Sequence, residues 1–466
     1  MKQATFSGRL VIVGFGSIGQ GVLPLILRHV ALDPSRITII TAEERGHEVA
    51  REYGVDFRID PLILGNFRDI LTPLLGAGDF LFNLAVDVSS VALIEFCRER
   101  GALYLDTSIE PWAGGYTDAS LTPSLRSNYA LRESARRFRG GGHPTAVVTH
   151  GANPGLVSHL VKRALLTIAS DLGIEAEPPH QREDWARLMQ KVGIKAIHVS
   201  ERDSQVTAAA KAQGEFRNTW SVDGFVGESC QPAELGWGSH EKALPPKGAR
   251  HAFGPDCAIY INRPGASVRV RSWTPLAGPY HGFLITHSES IALADYFTVG
   301  AGAQPEFRPT VHYAYHPCDD AVLSLHELAG SNWEFRQKKV VLMDEIAAGI
   351  DELGVLLMGH GRNAYWFGSR LSIDEARRLA PHNNATSLQV TASVLAAMIW
   401  ALENPRRGLV EPEELDYERV LAITEPYLGA LVGRYTDWTP LVGRGNLFEE
   451  DLDRADPWQF KNFLVD

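Results

Sequence analysis

Residues 10–21 read Leu10-Val11-Ile12-Val13-Gly14-Phe15-Gly16-Ser17-Ile18-Gly19-Gln20-Gly21, and this stretch decides the fold. An apolar run of strand length meets three glycines at the spacing of a dinucleotide-binding turn, after which Leu23, Leu25, Ile26 and Leu27 open a helical pattern. Gly14 allows the tight turn, Gly16 lets a pyrophosphate approach the backbone, and Gly19 lets helix and strand pack closely. The phosphates then sit on a helix N-terminus, where free N–H groups and the dipole favour negative charge. Gly14, Phe15, Gly16, Ser17, Ile18 and Gly19 are therefore the expected cofactor turn of a Rossmann-like, doubly wound parallel sheet.

Working outward, Arg36-Ile37-Thr38-Ile39-Ile40 reads as the second strand, at the distance where this fold places an acidic residue on the ribose hydroxyls. Thr41 stands there instead. Glu43 and Glu44 follow closely and Arg45 is near; the acidic neighbours favour NAD over NADP. Two further apolar runs, 79–85 and 102–106, each end in polar residues, where open α/β sheets bind ligands. Asn83 and Leu84 lie at the end of the first and Asp87 follows it, while Thr107 and Glu110 follow the second, so Asp87 and Glu110 are expected to face the cofactor crevice. The plainer alternative is that each caps a helix, and Glu110, ahead of Pro111, is a poor cap. A last run, 145–150, leads into Asn153-Pro154-Gly155, turn chemistry that closes a first domain at about residue 155.

At 466 residues two domains are the natural prior, and 45% apolar with 22% charged residues is ordinary globular composition. A net charge of −11 argues against a generic nucleic-acid or anionic-membrane binder and is compatible with a cationic substrate. The four cysteines are scattered with no CxxC pair, so neither a zinc site nor a disulfide framework is indicated, and a cytoplasmic setting fits. The spacing of His312 and His316 lacks the glutamate and helical setting of a zinc-protease motif, and no metal is expected.

Beyond residue 175 the texture changes. Runs 197–203 and 218–225 look strand-like and carry unusual polar residues, among them Glu201 and Trp220, with Glu228, Glu234 and Trp237 close behind. Alternation suits a sheet with one buried face, and carboxylates mixed with tryptophans suit a pocket for an organic cation. The run 282–286 ends on His287, with a carboxylate nearby, a histidine that either shuttles protons or is structural. Residues 386–402 form an apolar helix that ends at Asn404-Pro405.

The motifs GFGSIGQG (14–21), NLAVDVSS (83–90), LYLDTSIEPW (103–112), GANPGLVS (151–158), NTWSVDGF (218–225), THSES (286–290) and GHGRNAYWFGS (359–369) together resemble bacterial homospermidine synthases, from about residue 8 to 466. Thr41 departs from the acidic residue expected of that family. The resemblance implies kinship to saccharopine dehydrogenase. It also implies an NAD-binding domain at 1–155, an α+β substrate and dimerisation domain on a mixed sheet at 156–380, and C-terminal helices at 381–466 returning to the first domain. The implied activity is that of an NAD-dependent aminobutyl transferase. Two putrescine molecules condense to sym-homospermidine with release of ammonia, NAD being reduced and reoxidised in each cycle, in a cytoplasmic homodimer. By resemblance Trp220 takes a cation–π role, Glu201 and Glu228 bind or transfer protons, Glu110 and Asp87 hold substrate ammonium, and His287 and Asn153 position or shuttle protons, Asn153 also lying by the cofactor. Two other classes compete. A saccharopine-type NAD(P)-dependent amine or amino-acid dehydrogenase needs arginine or lysine for a carboxylate substrate, and a nucleotide-sensing regulator needs no acidic cluster.

Overall fold

The computed structural model describes residues 2–175, 177–334 and 338–465. Leu10–Val13, buried at every position, lies in the middle of a seven-stranded sheet. The spatial order is Leu409–Val410, Ala146–Val147, Leu103–Asp106, Phe80–Asn83, Leu10–Val13, Ile37–Thr41, Asp56–Ile59, with every neighbouring pair parallel. Buried on both faces, the inner strands read as unbroken apolar runs. The first six strands in chain order follow the dinucleotide-binding order 3-2-1-4-5-6, so the strand order reverses beside Leu10–Val13 and opens a crevice at its carboxyl end.

One face of this sheet is covered by the helix after the glycine turn, Ser17–His29, packed on the long helix Ala385–Glu403. The other is covered by Ser90–Arg100 and its neighbours. Ala385–Glu403 is long and apolar enough to cross a membrane by length and composition, yet 89% of its apolar window is buried against the rest of the protein. Its alanines bring neighbours close, and Asn384 caps it by accepting from Ser387 N at 2.7 Å.

The second sheet has eleven strands and is mixed. At its centre Ala196–Asp203 runs parallel to Thr310–His316 on one side and antiparallel to Ile350–His360 on the other. Register sets Glu201 beside Tyr315 and Leu353, and Asp203 beside Asp351. Because side chains alternate across a pleat, Glu201, Asp203, Tyr313, Tyr315 and Asp351 share one face.

Two expectations change. Run 218–225 is not a strand beyond Glu215–Asn218: Ser221 accepts from Gly224 N at 3.1 Å and caps the helix Val222–Cys230, a local bond that outweighs the alternating pattern. The segment 381–466 is more than helices returning to the first sheet. Its strand Leu409–Val410 joins that sheet, but Ala430–Thr436 and Leu464–Val465 pair into the second.

Candidate active site

The glycine turn is built as a cofactor cradle. Gly14 has φ +83°, and a Cβ there would stand 2.7 Å from the Ala85 backbone, so the strand end and the neighbouring strand's loop meet only over a glycine. A Cβ on Gly16 would meet no protein atom within 4 Å; protein packing gives no reason for glycine there, whereas close approach of a pyrophosphate does. A Cβ on Gly19 would strike the Phe15 ring at 2.8 Å. Gly16 caps Ser17–His29 with no side-chain hydrogen bond, which leaves the first-turn N–H groups of Ser17 and Ile18 to a ligand. The residues present thus fit a dinucleotide.

Thr41 ends its strand buried, and its Oγ1 accepts from Glu43 N at 3.4 Å. Leu84 N donates to Val13 O at 2.8 Å, which places Leu84 at the crevice. The Asn83 side chain instead points inward, donating to Val88 O at 3.0 Å, and its role is to hold the loop that carries Asp87. Thr107 follows the Leu103–Asp106 strand and lies against Gly151.

From this crevice a run of contacts leads into the second sheet. Asp87 has φ +64°, and its N–H donates to Glu110 Oε2 at 3.4 Å. It is not a helix cap; Ser89 is, accepting from Ala92 N. Asp87 is exposed, yet desolvation by the neighbouring protein and the Asp223 charge, against that of Lys339, raise its carboxyl above its usual range. Glu110 is buried, with Ser108 Oγ donating to Oε1 at 3.0 Å. Burial, together with the Glu228 charge and against the Ser108 bond, pushes it up to about 7.

Glu228, on the Ser221-capped helix, reaches His287 Nε2 at 3.0 Å. His287 is itself the residue before the helix Ser288–Tyr296, with Nδ1 3.3 Å from Glu289 Oε1 and its ring 4.3 Å from that of Tyr313. Burial opposes a charged imidazole here, but Glu228 and Glu289 together overcome it, and its pKa lies well above the usual value.

Tyr313 OH donates to Glu201 Oε2, and Asn153 Nδ2 donates to the same oxygen at 3.0 Å. Burial and the Asp203 charge, against those hydrogen bonds, raise Glu201 to about 7. Tyr315 stacks on Tyr313 at 5.0 Å and accepts from Trp220 Nε1 at 3.1 Å, leaving the indole half-buried at the edge of the cluster. Deeper on the same sheet face, Asp351 is fully buried with neither oxygen accepting a hydrogen bond, and burial with the Glu201 and Asp203 charges drives it well up.

Asp87, Glu110, Glu228, His287, Glu201, Asn153 and Trp220 are thus linked through a few intermediaries. Other sequence candidates lie apart from them. Glu234 is spent on Asn128 N, Tyr129 N and Thr286 Oγ1. His312 packs against His198 and is held neutral by burial, down to about 4. Among the described residues no three His, Cys, Asp or Glu side chains are grouped to hold a metal. Tyr313, Tyr315 and Asp351 were not identified from sequence; the signal that brings them in is strand register, which only the paired sheet supplies.

Comparison with known proteins gives two family matches along the chain. Residues 10–147 match the saccharopine dehydrogenase NADP binding domain and residues 151–437 the saccharopine dehydrogenase C-terminal domain. The homospermidine synthase of Blastochloris viridis is 54% identical, covering 98% of this chain and 97% of its own, and that of Mesorhizobium japonicum is 51% identical, covering 98% and 96%. A crystal structure of the homospermidine synthase of Legionella pneumophila in complex with NAD superposes with a TM-score of 0.93 at 49% identity, over 99% of this chain and 98% of the other.

Proposed function

This chain belongs to the homospermidine synthase family, and we propose that it joins two putrescine molecules into sym-homospermidine with release of ammonia. The observation that carries the reading is the grouping of Asp87 bonded to Glu110, of Glu228 near enough for its charge to act on Glu110 and bonded to His287, and of His287 packed on the Tyr313 that binds Glu201 beside Asn153. A diammonium substrate needs carboxylates to hold it and an aromatic face where full pairing is awkward. Carboxylates dominate this group, with Lys339 acting on Asp87 from beside its ion-pair partner Asp223, a balance that suits a cationic substrate better than the carboxylate-bearing one of a saccharopine-type dehydrogenase.

NAD held at the glycine turn supplies hydride transfer, accepting a hydride from the amine-bearing carbon and returning it later, so that none is consumed. The backbone of Gly14 to Gly19 holds its phosphates and Thr41 lies at the ribose end. Glu43 and Glu44, exposed just beyond, repel a 2′-phosphate, and Arg45 leans on Glu43 at 3.9 Å, which favours NAD over NADP. Asp87 and Glu110 hold the ammonium nearest the cofactor. Glu201, oriented by Asn153 and Tyr313, holds a second nitrogen. Carboxyls near 7 can take a proton from an incoming ammonium at neutral pH, as deprotonation before hydride loss or attack requires. Glu228 and His287 move protons between the nitrogens, and Trp220 meets a cation with its ring.

Within the same reading the protein is a homodimer, the commonest closed assembly, acting in the cytoplasm on small diamines, with neither nucleic acid nor membrane as partner. Four free cysteines and the net charge of −11 support that setting. The test is to incubate the protein with putrescine and NAD, the NAD far below the putrescine. Ammonia and homospermidine should accumulate beyond the amount of NAD with no lasting rise in NADH absorbance. One NADH per ammonia would establish an ordinary dehydrogenase instead.

A further inference from the structure

His287 lies between two carboxylates, with Nε2 3.0 Å from Glu228 and Nδ1 3.3 Å from Glu289. The Glu289 side chain is wholly buried; neither of its oxygens accepts a hydrogen bond and His287 Nδ1 donates none, so the two meet as an ion-pair contact and not as an aligned hydrogen bond. A carboxylate taken out of water costs several kcal/mol unless paired. Glu289 has two compensations: the imidazole of His287 and its place in the first turn of the nine-residue helix Ser288–Tyr296, where the dipole favours an anion. A neutral imidazole carries one N–H and one lone pair, so one of the two carboxylates would face a lone pair. Only the imidazolium turns an N–H toward each carboxylate and carries the charge that favours both ion-pair contacts. The ring is also braced by Tyr313, tilted 39° against it. The groups facing it are Glu228 from the helix Val222–Cys230, Tyr313 and Glu201 from the central strands, and Glu289 from its own helix, with Glu110 beyond Glu228.

We propose that Glu289 is a positioning residue for the condensation. It keeps both nitrogens of His287 protonated, with Nδ1–H turned inward, so that Nε2–H faces Glu228 and the nitrogen that must leave. The inference rests on the function proposed above. When the second amine attacks the carbon of the protonated imine, C=NH2+, a C–N bond forms, the π pair moves to the first nitrogen, and the attacking nitrogen sheds a proton to Glu228. His287 Nε2–H gives a proton to the first nitrogen, whose C–N bond breaks with the electron pair going to nitrogen as ammonia, while the lone pair of the attacking nitrogen forms the new protonated imine. Transfer of the proton from Glu228 to His287 restores both groups, and no net proton is taken up or lost.

The experiment compares the wild-type chain with Glu289→Gln and Glu289→Asp. His287 protonation is followed by NMR of ring-15N histidine, assigned with His287→Gln, and kcat is followed against pH. In wild type both His287 nitrogens should be protonated at neutral pH. In Glu289→Gln the alkaline limb of kcat should move down by about one pH unit, and kcat on that limb should fall by up to about tenfold at a fixed pH. KM for putrescine and NAD affinity should stay within about twofold, and Glu289→Asp should restore part of the loss. A neutral His287 in wild type overturns the proposal, as does a Gln variant whose His287 stays doubly protonated and whose pH profile is unmoved. If the Gln variant does not fold, the wild-type titration and the Asp variant decide. The NMR arm needs no turnover, so a wild type that releases no ammonia from putrescine refutes the proposed function and leaves the Glu289 result to stand or fall separately.

Discussion

Replacing Trp220 separates an aromatic face from apolar bulk, because the structure isolates the second thing this indole does. Its Nε1–H donates to Tyr315 OH at 3.1 Å, and Tyr315 in turn stacks on the tyrosine that binds Glu201. A cation over an indole gains ~0.5–2 kcal/mol, more when desolvated, and the Tyr315 hydrogen bond contributes ~1 kcal/mol net. Trp220→Phe keeps a weaker face and loses the hydrogen bond. Trp220→Leu loses both, about 1.5–3 kcal/mol of binding to the cationic substrate. At ~1.4 kcal/mol per tenfold, kcat/KM for putrescine should fall roughly 5- to 30-fold for Phe and roughly 10- to 150-fold for Leu. Tyr315→Phe removes only the hydrogen bond and should cost no more than about fivefold. The assay is ammonia release across a putrescine series, with thermal melts of every variant, since cutting a half-buried tryptophan to leucine also leaves a cavity. Near-normal kcat/KM in Trp220→Leu at unchanged stability would refute the cation–π role. Tyr315→Phe as damaging as Trp220→Phe would shift the role from the ring face to the hydrogen bond.

Gly16→Val should abolish NAD binding while leaving the melting transition of the protein close to wild type, because its Cβ meets no protein atom and only the pyrophosphate path is blocked; calorimetry with NAD checks this. Glu110→Gln should raise KM for putrescine and stabilise the protein at pH 8. Burial raises this carboxyl to about 7, so between about 4.5 and 7 the native state binds more protons than the unfolded chain, and stability falls as pH rises through that window. The gain in Tm should amount to a few degrees at pH 8 and shrink toward pH 5, and a variant no more stable at pH 8 than at pH 5 would contradict it.

The cofactor half was legible because its signals are local. A strand, three glycines and a helix start occupy a dozen consecutive residues, and each apolar run ends where the crevice lies. Most of the acidic residues were legible as types but not as a cluster. Glu228 was expected just after a strand with no partner named for it, and it reaches His287 because Ser221 starts a helix in place of that strand. Tyr313, Tyr315 and Asp351 carry no local mark at all. They join the site through pairing between strands more than a hundred residues apart in the chain, where one step of register would turn all three away.

The seventh strand of the cofactor sheet sets a timetable for biosynthesis. Ala146–Val147 is made early, but its partner Leu409–Val410 emerges about 260 residues later, which at ~5–20 residues per second is roughly 13–50 s of translation. Throughout that interval the strand has an open edge able to pair with another nascent chain. The helix Ala385–Glu403, which covers one face of the same sheet, arrives just ahead of the missing strand. The nucleotide-binding half therefore stays unfinished on the ribosome until nearly all of the chain has been translated, and nascent chains stalled before residue 409 should be the ones that chaperones retain.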